Sequence, residues 1–222
     1  MEEHVVKILK IERVTHNVKR FQVEKPAGYL FVPGQATEVS INKPEWKKKK
    51  RPFTFTCLNE EPYLEFTIKG YPERHGVTDA LHKLSVGDEL LLHDVWGAIA
   101  YKGKGVFIAG GAGITPFIAI FRQLYKDHQI DGNTLIFSNK TQADIIMREE
   151  LEKMLGPNFI NIITGEKIAG LHSSHMDQDY LKKIISNFDQ QFYVCGPDKF
   201  TEAITKALSD LGAKADTVVI EK

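Results

Sequence analysis

The hydrophobic pattern changes its period near residue 100, and this change limits the fold more than any other feature of the chain. Before it, apolar and polar residues alternate at every second position, as in half-buried strands. Leu64, Phe66 and Ile68 alternate with Glu65, Thr67 and Lys69; Phe21 and Val23 alternate with Arg20, Gln22 and Glu24; Val39 and Ile41 keep the same beat. Turn formers separate these runs: Pro26 with Gly28, Pro33-Gly34, Pro44, and Glu61-Pro62. Short antiparallel strands with regular turns predict a small barrel. One short helix, near Val77 to Leu84, interrupts it.

After Gly103 the pattern becomes strand, helix, strand, helix. Val106 to Ala109 reads as a buried strand, and Phe117, Ile118, Phe121, Leu124 and Tyr125 then recur at helical spacing. Further strands are predicted at Thr134–Phe137, Phe159–Ile163, Phe192–Val194 and Thr217–Ile220. Helices are expected at Asp144–Leu155, Tyr180–Ser186 and along Phe200, Ile204, Ala207, Leu208 and Leu211. Such alternation implies a doubly wound α/β domain, a parallel sheet with helices on both faces. The expected division is residues 1–98 and 103–222, with a linker at Trp96–Gly103.

Composition excludes several classes. Among 222 residues, 29 lysines and arginines balance 29 aspartates and glutamates, so no global charge points to nucleic acid. The two cysteines, Cys57 and Cys195, cannot form a disulfide framework or ligate an iron–sulfur cluster. Met1 to Lys10 lacks the apolar run of a signal peptide. No apolar stretch approaches the roughly 20 residues that span a bilayer. The expectation is a soluble, cytoplasmic, monomeric protein without a metal.

Three signals, spread over four segments, carry chemistry. Gly110-Gly111-Ala112-Gly113-Ile114-Thr115-Pro116 follows a buried strand and opens a helix. Its glycines allow tight turning and close backbone approach, and the helix start offers unpaired N–H groups to a diphosphate. Pro116 fits the first helical turn. A strand-to-helix turn without a ligand would read the same way. In the first half, Arg51-Pro52-Phe53-Thr54 begins a strand and Gly76-Val77-Thr78 begins the short helix. An arginine can grip a phosphate bidentately, a ring can cover a flat heterocycle, and a hydroxyl can bond a ring nitrogen. The alternative is an ordinary strand after a solvated basic run. Cys195-Gly196-Pro197 closes the fourth parallel strand, where open α/β sheets bind ligands. Alone it is also an unremarkable turn with a small buried cysteine.

In order and spacing, these segments resemble the ferredoxin–NADP+ reductase superfamily, in particular its flavodoxin/ferredoxin reductase-like members. Arg51-Pro52-Phe53-Thr54 is similar to the family's Arg-x-Tyr-Ser flavin motif, and Gly76-Val77-Thr78 to its Gly-x-x-Ser/Thr phosphate motif. Gly110–Pro116 is similar to the pyridine-nucleotide glycine motif, Cys195-Gly196-Pro197 to the nicotinamide motif, and Pro33-Gly34-Gln35 to the barrel turn before the flavin strand. The resemblance covers essentially the whole chain. It implies a flavin-binding Greek-key barrel at 1–98 and an NAD(P)-binding domain at 103–222. The implied activity is hydride transfer between NAD(P)H and FAD, with FMN the other possible flavin.

The resemblance also implies roles. Arg51 holds a flavin phosphate, Phe53 packs on the isoalloxazine and Thr54 bonds near the hydride-accepting nitrogen. Ile68 and Lys69 flank the ribityl and phosphates, and Val77 and Thr78 complete the cradle begun by Gly76. Gly110, Gly111, Gly113 and Pro116 belong to the nucleotide turn, Thr115 sits where the domains meet the nicotinamide, and Cys195 approaches its reacting carbon. Hydride transfer needs no general base, so His75, His82, His93, His172 and His175 are expected at the surface or in packing roles.

The chain departs from the family at several points. Phe53 replaces a tyrosine, so one phenolic hydrogen bond is lost. The ending Val219-Ile220-Glu221-Lys222 lacks a terminal aromatic, and Glu221 is a candidate carboxylate near the flavin. Ser138, Asn139 and Lys140 at the end of the second parallel strand suit a 2′-phosphate better than free ribose hydroxyls, so NADPH is favoured over NADH. Lys47–Lys50 is either a docking patch for an acidic carrier such as flavodoxin or ferredoxin, or a solvated loop. A second reading is an accessory electron-transfer subunit of a larger complex. Known subunits of that kind carry a cysteine cluster, for which this chain lacks the cysteines.

Overall fold

The computed structural model of the protein describes residues 3–97, 99–166 and 176–220. By contacts the chain forms two compact units, Met1–Gly97 with Thr115–Gln123, and Ala98–Ile114 with Leu124–Lys222.

The first unit is built on a six-stranded antiparallel sheet: β1 (His4–Arg13), β2 (Val18–Glu24), β3 (Ala36–Ile41), β4 (Arg51–Thr54), β5 (Tyr63–Lys69) and β6 (Glu89–Trp96). Their order is β4-β3-β6-β1-β2-β5. The two outer strands then meet: Phe55, just past β4, bridges Phe66 of β5, and the Thr56 amide donates to the Glu65 carbonyl at 2.9 Å. The sheet thereby closes into a barrel-like shape, as the period-two pattern predicts, and a closed sheet leaves few unpaired edges. The inward set Val6, Ile8, Phe21, Val23, Val39, Ile41, Phe55, Leu64, Phe66, Leu90 and Leu92 forms its core. Phe31 stacks on Phe55 with centroids 4.2 Å apart. Helix α1 (Val77–His82) contributes Val77 and Leu81 to the same core.

Glu65 breaks the apolar pattern. It is only 2% exposed, and its carboxylate accepts from Thr56 Oγ1 at 2.9 Å, Gln22 Nε2 at 3.3 Å and Arg122 Nη1 at 2.8 Å. Arg122 also donates to the Thr56 carbonyl. It lies on α2 (Thr115–Lys126), whose first nine residues group with the barrel. The buried thiol of Cys57 accepts the Glu65 amide at 3.1 Å. Both cysteines are buried, and neither is in a disulfide.

The second unit holds a five-stranded parallel sheet: β7 (Gly105–Gly110), β8 (Thr134–Asn139), β9 (Phe159–Ile163), β10 (Gln191–Cys195) and β11 (Val218–Ile220), in the order β11-β10-β7-β8-β9. All four pairings are parallel. One face of the sheet (Val106, Ile108, Ile136, Ile162, Phe192, Val194) packs on Leu181 of α4 (Gln178–Ile184) and Ile204 and Leu208 of α5 (Asp198–Asp210). On the other, Phe107 stacks on Tyr193 at 4.1 Å. Strand order reverses between β7 and β10, which fixes the switch point of the sheet.

Two helices differ from expectation in their limits. The span predicted as a helix from Asp144 is a 3-10 turn, Gln142–Asp144, then a break at left-handed Met147 (φ 53°), then α3 (Arg148–Leu155). Thr141 and Asp144 form a reciprocal capping box that starts this short turn, and the extended backbone of Ile145 (ψ 105°) ends it. Helix α4 starts two residues earlier than predicted because the Asp177 carboxylate accepts the Tyr180 amide at 2.8 Å. Among the described residues, no helix is long and apolar enough to cross a membrane, and no cluster of His, Cys, Asp or Glu is placed to hold a metal.

Removing Arg122 takes from the buried Glu65 carboxylate the cation that hydrogen-bonds it, and leaves only the Arg20 guanidinium, 3.8 Å away. Breaking such a pair costs about 3–5 kcal/mol, and the hydroxyl and amide that remain on Glu65 place Arg122→Ala near the lower end. Urea unfolding of Arg122→Ala against the parent measures this loss; the expected shift is about 3 kcal/mol.

Candidate functional site

In the parallel unit, the glycine turn and the Cys-Gly-Pro turn occupy adjacent strand ends at the switch point. Cys195 pairs with Ala109 in register, so β10 and β7 end side by side. Gly111 takes φ 53°, a left-handed conformation that favours glycine. Gly113 has a different constraint: a Cβ there would lie 2.3 Å from the Cys195 carbonyl oxygen and 2.6 Å from the Gly196 nitrogen. The two turns therefore touch backbone to backbone. Phe200 of α5 fills the remaining space, 2.5 Å from a Cβ at Gly196 and 3.1 Å from one at Gly110. Phe200 is a site residue that motif reading passes over, since its only sequence signal is helical periodicity. Pro197 precedes α5, where its carbonyl accepts the Phe200 amide at 2.8 Å.

Strand β8 ends beside this turn, with Ser138 opposite Gly110. Ser138 is half-buried, and Lys140 is exposed. Asn139 is 4% exposed, and neither atom of its side-chain amide has a hydrogen-bond partner. A buried amide without partners costs free energy, so this strand end suits a polar ligand group. Thr141 is already engaged, its hydroxyl donating to Asp144 at 2.8 Å. The Gln142 amide donates to Glu166 at 3.2 Å.

In the barrel unit, Arg51, Pro52, Phe53 and Thr54 make up β4, with Thr37 opposite Phe53 and Ala36 opposite Thr54. Arg51 is exposed, and its guanidinium donates to the Lys50 carbonyl at 2.8 Å. Phe53 is half-buried against the core, and Thr54 is buried. Ile68 and Lys69 end β5, which contacts β4 where the barrel closes. Among the described residues, no further bridge joins β4 and β5 beyond Phe55 and Phe66. Gly76 precedes α1 in extended conformation, and the nearest atom to a Cβ there is 3.9 Å away, leaving room for a ligand. Helix α1 has no side-chain cap on its first amides. Lys69 and Arg74 lie over the Tyr71 ring, at 6.0 and 4.6 Å, and add cations to the same loop. Donors, cations and open backbone are the set a flavin diphosphate needs, so these residues fit the group.

His82, expected in a packing or surface role, is half-buried at the end of α1 with Nε2 2.8 Å from the Ile68 carbonyl. Burial, partly opposed by this hydrogen bond, holds its pKa below the usual histidine value. His93 is buried in β6, and His75 is exposed. His172, His175 and Glu221 lie outside the described residues.

A closed antiparallel barrel unit and a parallel sheet with glycine turns at its switch point are the architecture expected of two-unit oxidoreductases that bind a flavin and a nicotinamide nucleotide. Residues 107–206 match the oxidoreductase NAD-binding domain family. The chain is 27% identical over 223 residues to NADH-cytochrome b5 reductase 1 of Aspergillus terreus, covering 90% of this chain and 74% of that protein. It is 26% identical over 227 residues to the glycine betaine monooxygenase reductase subunit of Chromohalobacter salexigens, covering 94% of this chain and 61% of that one. The flavohem-like FAD/NAD binding domain of nitric oxide dioxygenase from Vibrio cholerae superposes with a TM-score of 0.87 at 19% identity, over 98% of this chain and 97% of that one, which attests to the fold. The chain is thus similar to ferredoxin reductase-like oxidoreductases that bind FAD and a nicotinamide nucleotide, and the family match itself lies in its second unit.

The Gly113 contact leaves no space for a side chain. Gly113→Val is expected to push the turn away from Cys195, and a misplacement of about 1 Å costs about a hundredfold in rate. Steady-state kcat/KM for NAD(P)H should fall on that scale while the flavin-to-protein absorbance ratio stays at the parent value.

Proposed function

We propose that this chain is a flavin-dependent NAD(P)H reductase that passes electrons onward to a redox protein or small acceptor. The observation that carries the reading is the backbone contact of Gly113 with Cys195 and Gly196 at the switch point, beside the unpartnered amide of Asn139. Bound FAD supplies the redox chemistry, taking a hydride from reduced nicotinamide and giving up electrons to an acceptor.

The chain's own residues bind and orient. Gly110, Gly111 and Gly113 bring backbone amides to the nucleotide diphosphate, with Thr115 and Pro116 opening the helix behind them. Cys195, Gly196 and Pro197 face the nicotinamide. Arg51 grips a flavin phosphate, Phe53 covers the flavin ring and Thr54 donates toward its hydride-accepting nitrogen. Ile68 and Lys69 border the ribityl chain and the phosphates, and Gly76, Val77 and Thr78 offer amides to the phosphates. FAD rather than FMN agrees with the cofactor in the name of the Vibrio cholerae domain.

For the cosubstrate, the exposed Lys140 ammonium and the half-buried Ser138 hydroxyl support a 2′-phosphate, hence NADPH. The Aspergillus relative is named for NADH, and Glu166 near the same strand end weighs on that side. The acceptor is a carrier of the kind the relatives' names describe, a cytochrome or an oxygenase component, or an acidic flavodoxin or ferredoxin. The basic loop gives the acidic carrier modest support, because its lysines already lean on neighbours. Lys47 is 3.8 Å from Glu3, Lys50 is 3.7 Å from Glu38, and Lys49 lies over Trp46 at 4.4 Å.

Anaerobic mixing of the FAD-loaded protein with NADPH or NADH should bleach the flavin absorbance, faster with NADPH. Failure of both to bleach it would sink the reductase reading, whereas an NADH preference above about tenfold, or 1.4 kcal/mol, would reassign the cosubstrate alone. Arg51→Ala removes a charge-assisted contact worth about 1.5–3 kcal/mol and should weaken FAD retention by about ten- to a hundredfold, read as flavin content after gel filtration.

A further inference from the structure

Two segments assigned to the flavin phosphates, Ile68–Lys69 and Gly76–Thr78, are separated by a loop that does little to fix their spacing. Residues 72–75 are exposed, and the loop's one regular feature is the 3-10 turn Pro72–Arg74, closed by left-handed His75. A side chain from beyond the second segment reaches back across this loop. His82 Nε2 lies 2.8 Å from the Ile68 carbonyl oxygen. A carbonyl can only accept, so Nε2 carries the proton and donates. The imidazole also takes the space a side chain at residue 70 would need: a Cβ on Gly70 would fall 2.6 Å from His82 Nδ1 and 2.8 Å from Cε1. The main chain of His82 is anchored as well, its carbonyl accepting from Lys19 Nζ at 2.7 Å. Lys19 sits opposite Ile68 in the β2–β5 register, so strand and neighbour both hold the same histidine. Phe21 lies beside the ring, with centroids 6.1 Å apart.

We infer that His82 is a positioning residue for the flavin: by joining the Ile68 carbonyl to the end of helix α1, it sets the spacing of the two segments that grip the phosphates. The inference rests on the flavin reading above and adds to it a residue outside every motif that carries that reading. No atom of His82 needs to touch the cofactor. Its ring does through one hydrogen bond what the exposed loop does not, and Gly70 is glycine because the ring occupies the adjacent space.

The test measures the FAD dissociation constant of the apoprotein by quenching of flavin fluorescence, alongside the thermal midpoint of each apoprotein. His82→Phe keeps a ring over Gly70 and Phe21 but has no donor. His82→Gln keeps an N–H donor of similar reach. Loss of one such bond corresponds to about tenfold in affinity. His82→Phe is therefore expected to bind FAD about tenfold more weakly, and His82→Gln to recover most of that loss, at similar thermal midpoints. Gly70→Ala, which crowds the ring while leaving His82 in place, is expected to weaken FAD binding as His82→Phe does. Parent-like affinity in both His82→Phe and Gly70→Ala overturns the inference, as does a His82→Gln protein that melts normally yet binds no better than His82→Phe. A parent protein that takes up no FAD overturns the flavin reading itself, and this inference with it.

Discussion

The barrel unit depends on a carboxylate that has been taken out of water. Placing an ion in a protein interior costs several kcal/mol unless other groups replace its hydration. Glu65 meets that cost with ligands from three places: Gln22 on β2, Thr56 just past β4, and Arg122 on α2. Thr56 in turn hydrogen-bonds Thr67, two residues further along β5. Each partner must hold its position for the ion to remain buried, so the closure of the sheet and the seat of α2 are specified together. Strand β5 thus reaches Ile68 and Lys69 already constrained from both sides.

The parallel unit relies on absence of bulk rather than on charge. A methyl group would collide with the Cys195 backbone at Gly113 and with Phe200 at Gly196, and would sit tightly against Phe200 at Gly110. Close approach of two turns concentrates amide dipoles at one end of the sheet, the end where open α/β sheets bind ligands. The two candidate sites therefore differ in what they present. The barrel supplies side-chain cations and a ring on strand ends, whereas the sheet supplies bare backbone.

Much of this was legible in the residues because local and global preferences agree. The period-two runs at β2, β3 and β5 and the buried runs at β7, β9 and β10 lie where hydrophobic spacing puts them. Strands β1 and β6 were harder to see for physical reasons. Leu90, Leu91 and Leu92 are all fully buried, so β6 shows no alternation, and a register shift between Ile8 and Lys10 leaves Leu9 exposed on β1. The break at Met147 was hidden because the apolar Ile145 and Ile146 continue a helical-looking pattern while the backbone turns extended at Ile145 and left-handed at Met147. At the site, the motifs located the turns and β4, but not Phe200 or His82. Neither belongs to a chemical pattern; one is named by the space beside two glycines and the other by a carbonyl 14 residues earlier in the chain.

The thiol beside Glu65 has a practical consequence. Burial pushes the Cys57 pKa up to about 12. At neutral pH only about one molecule in a hundred thousand then carries the reactive thiolate, and the sulfur is also shielded from solvent. Alkylating reagents therefore modify Cys57 slowly until the structure around the sulfur opens. The chain thus contains, in a residue of its own, a chemical clock for local opening of the barrel.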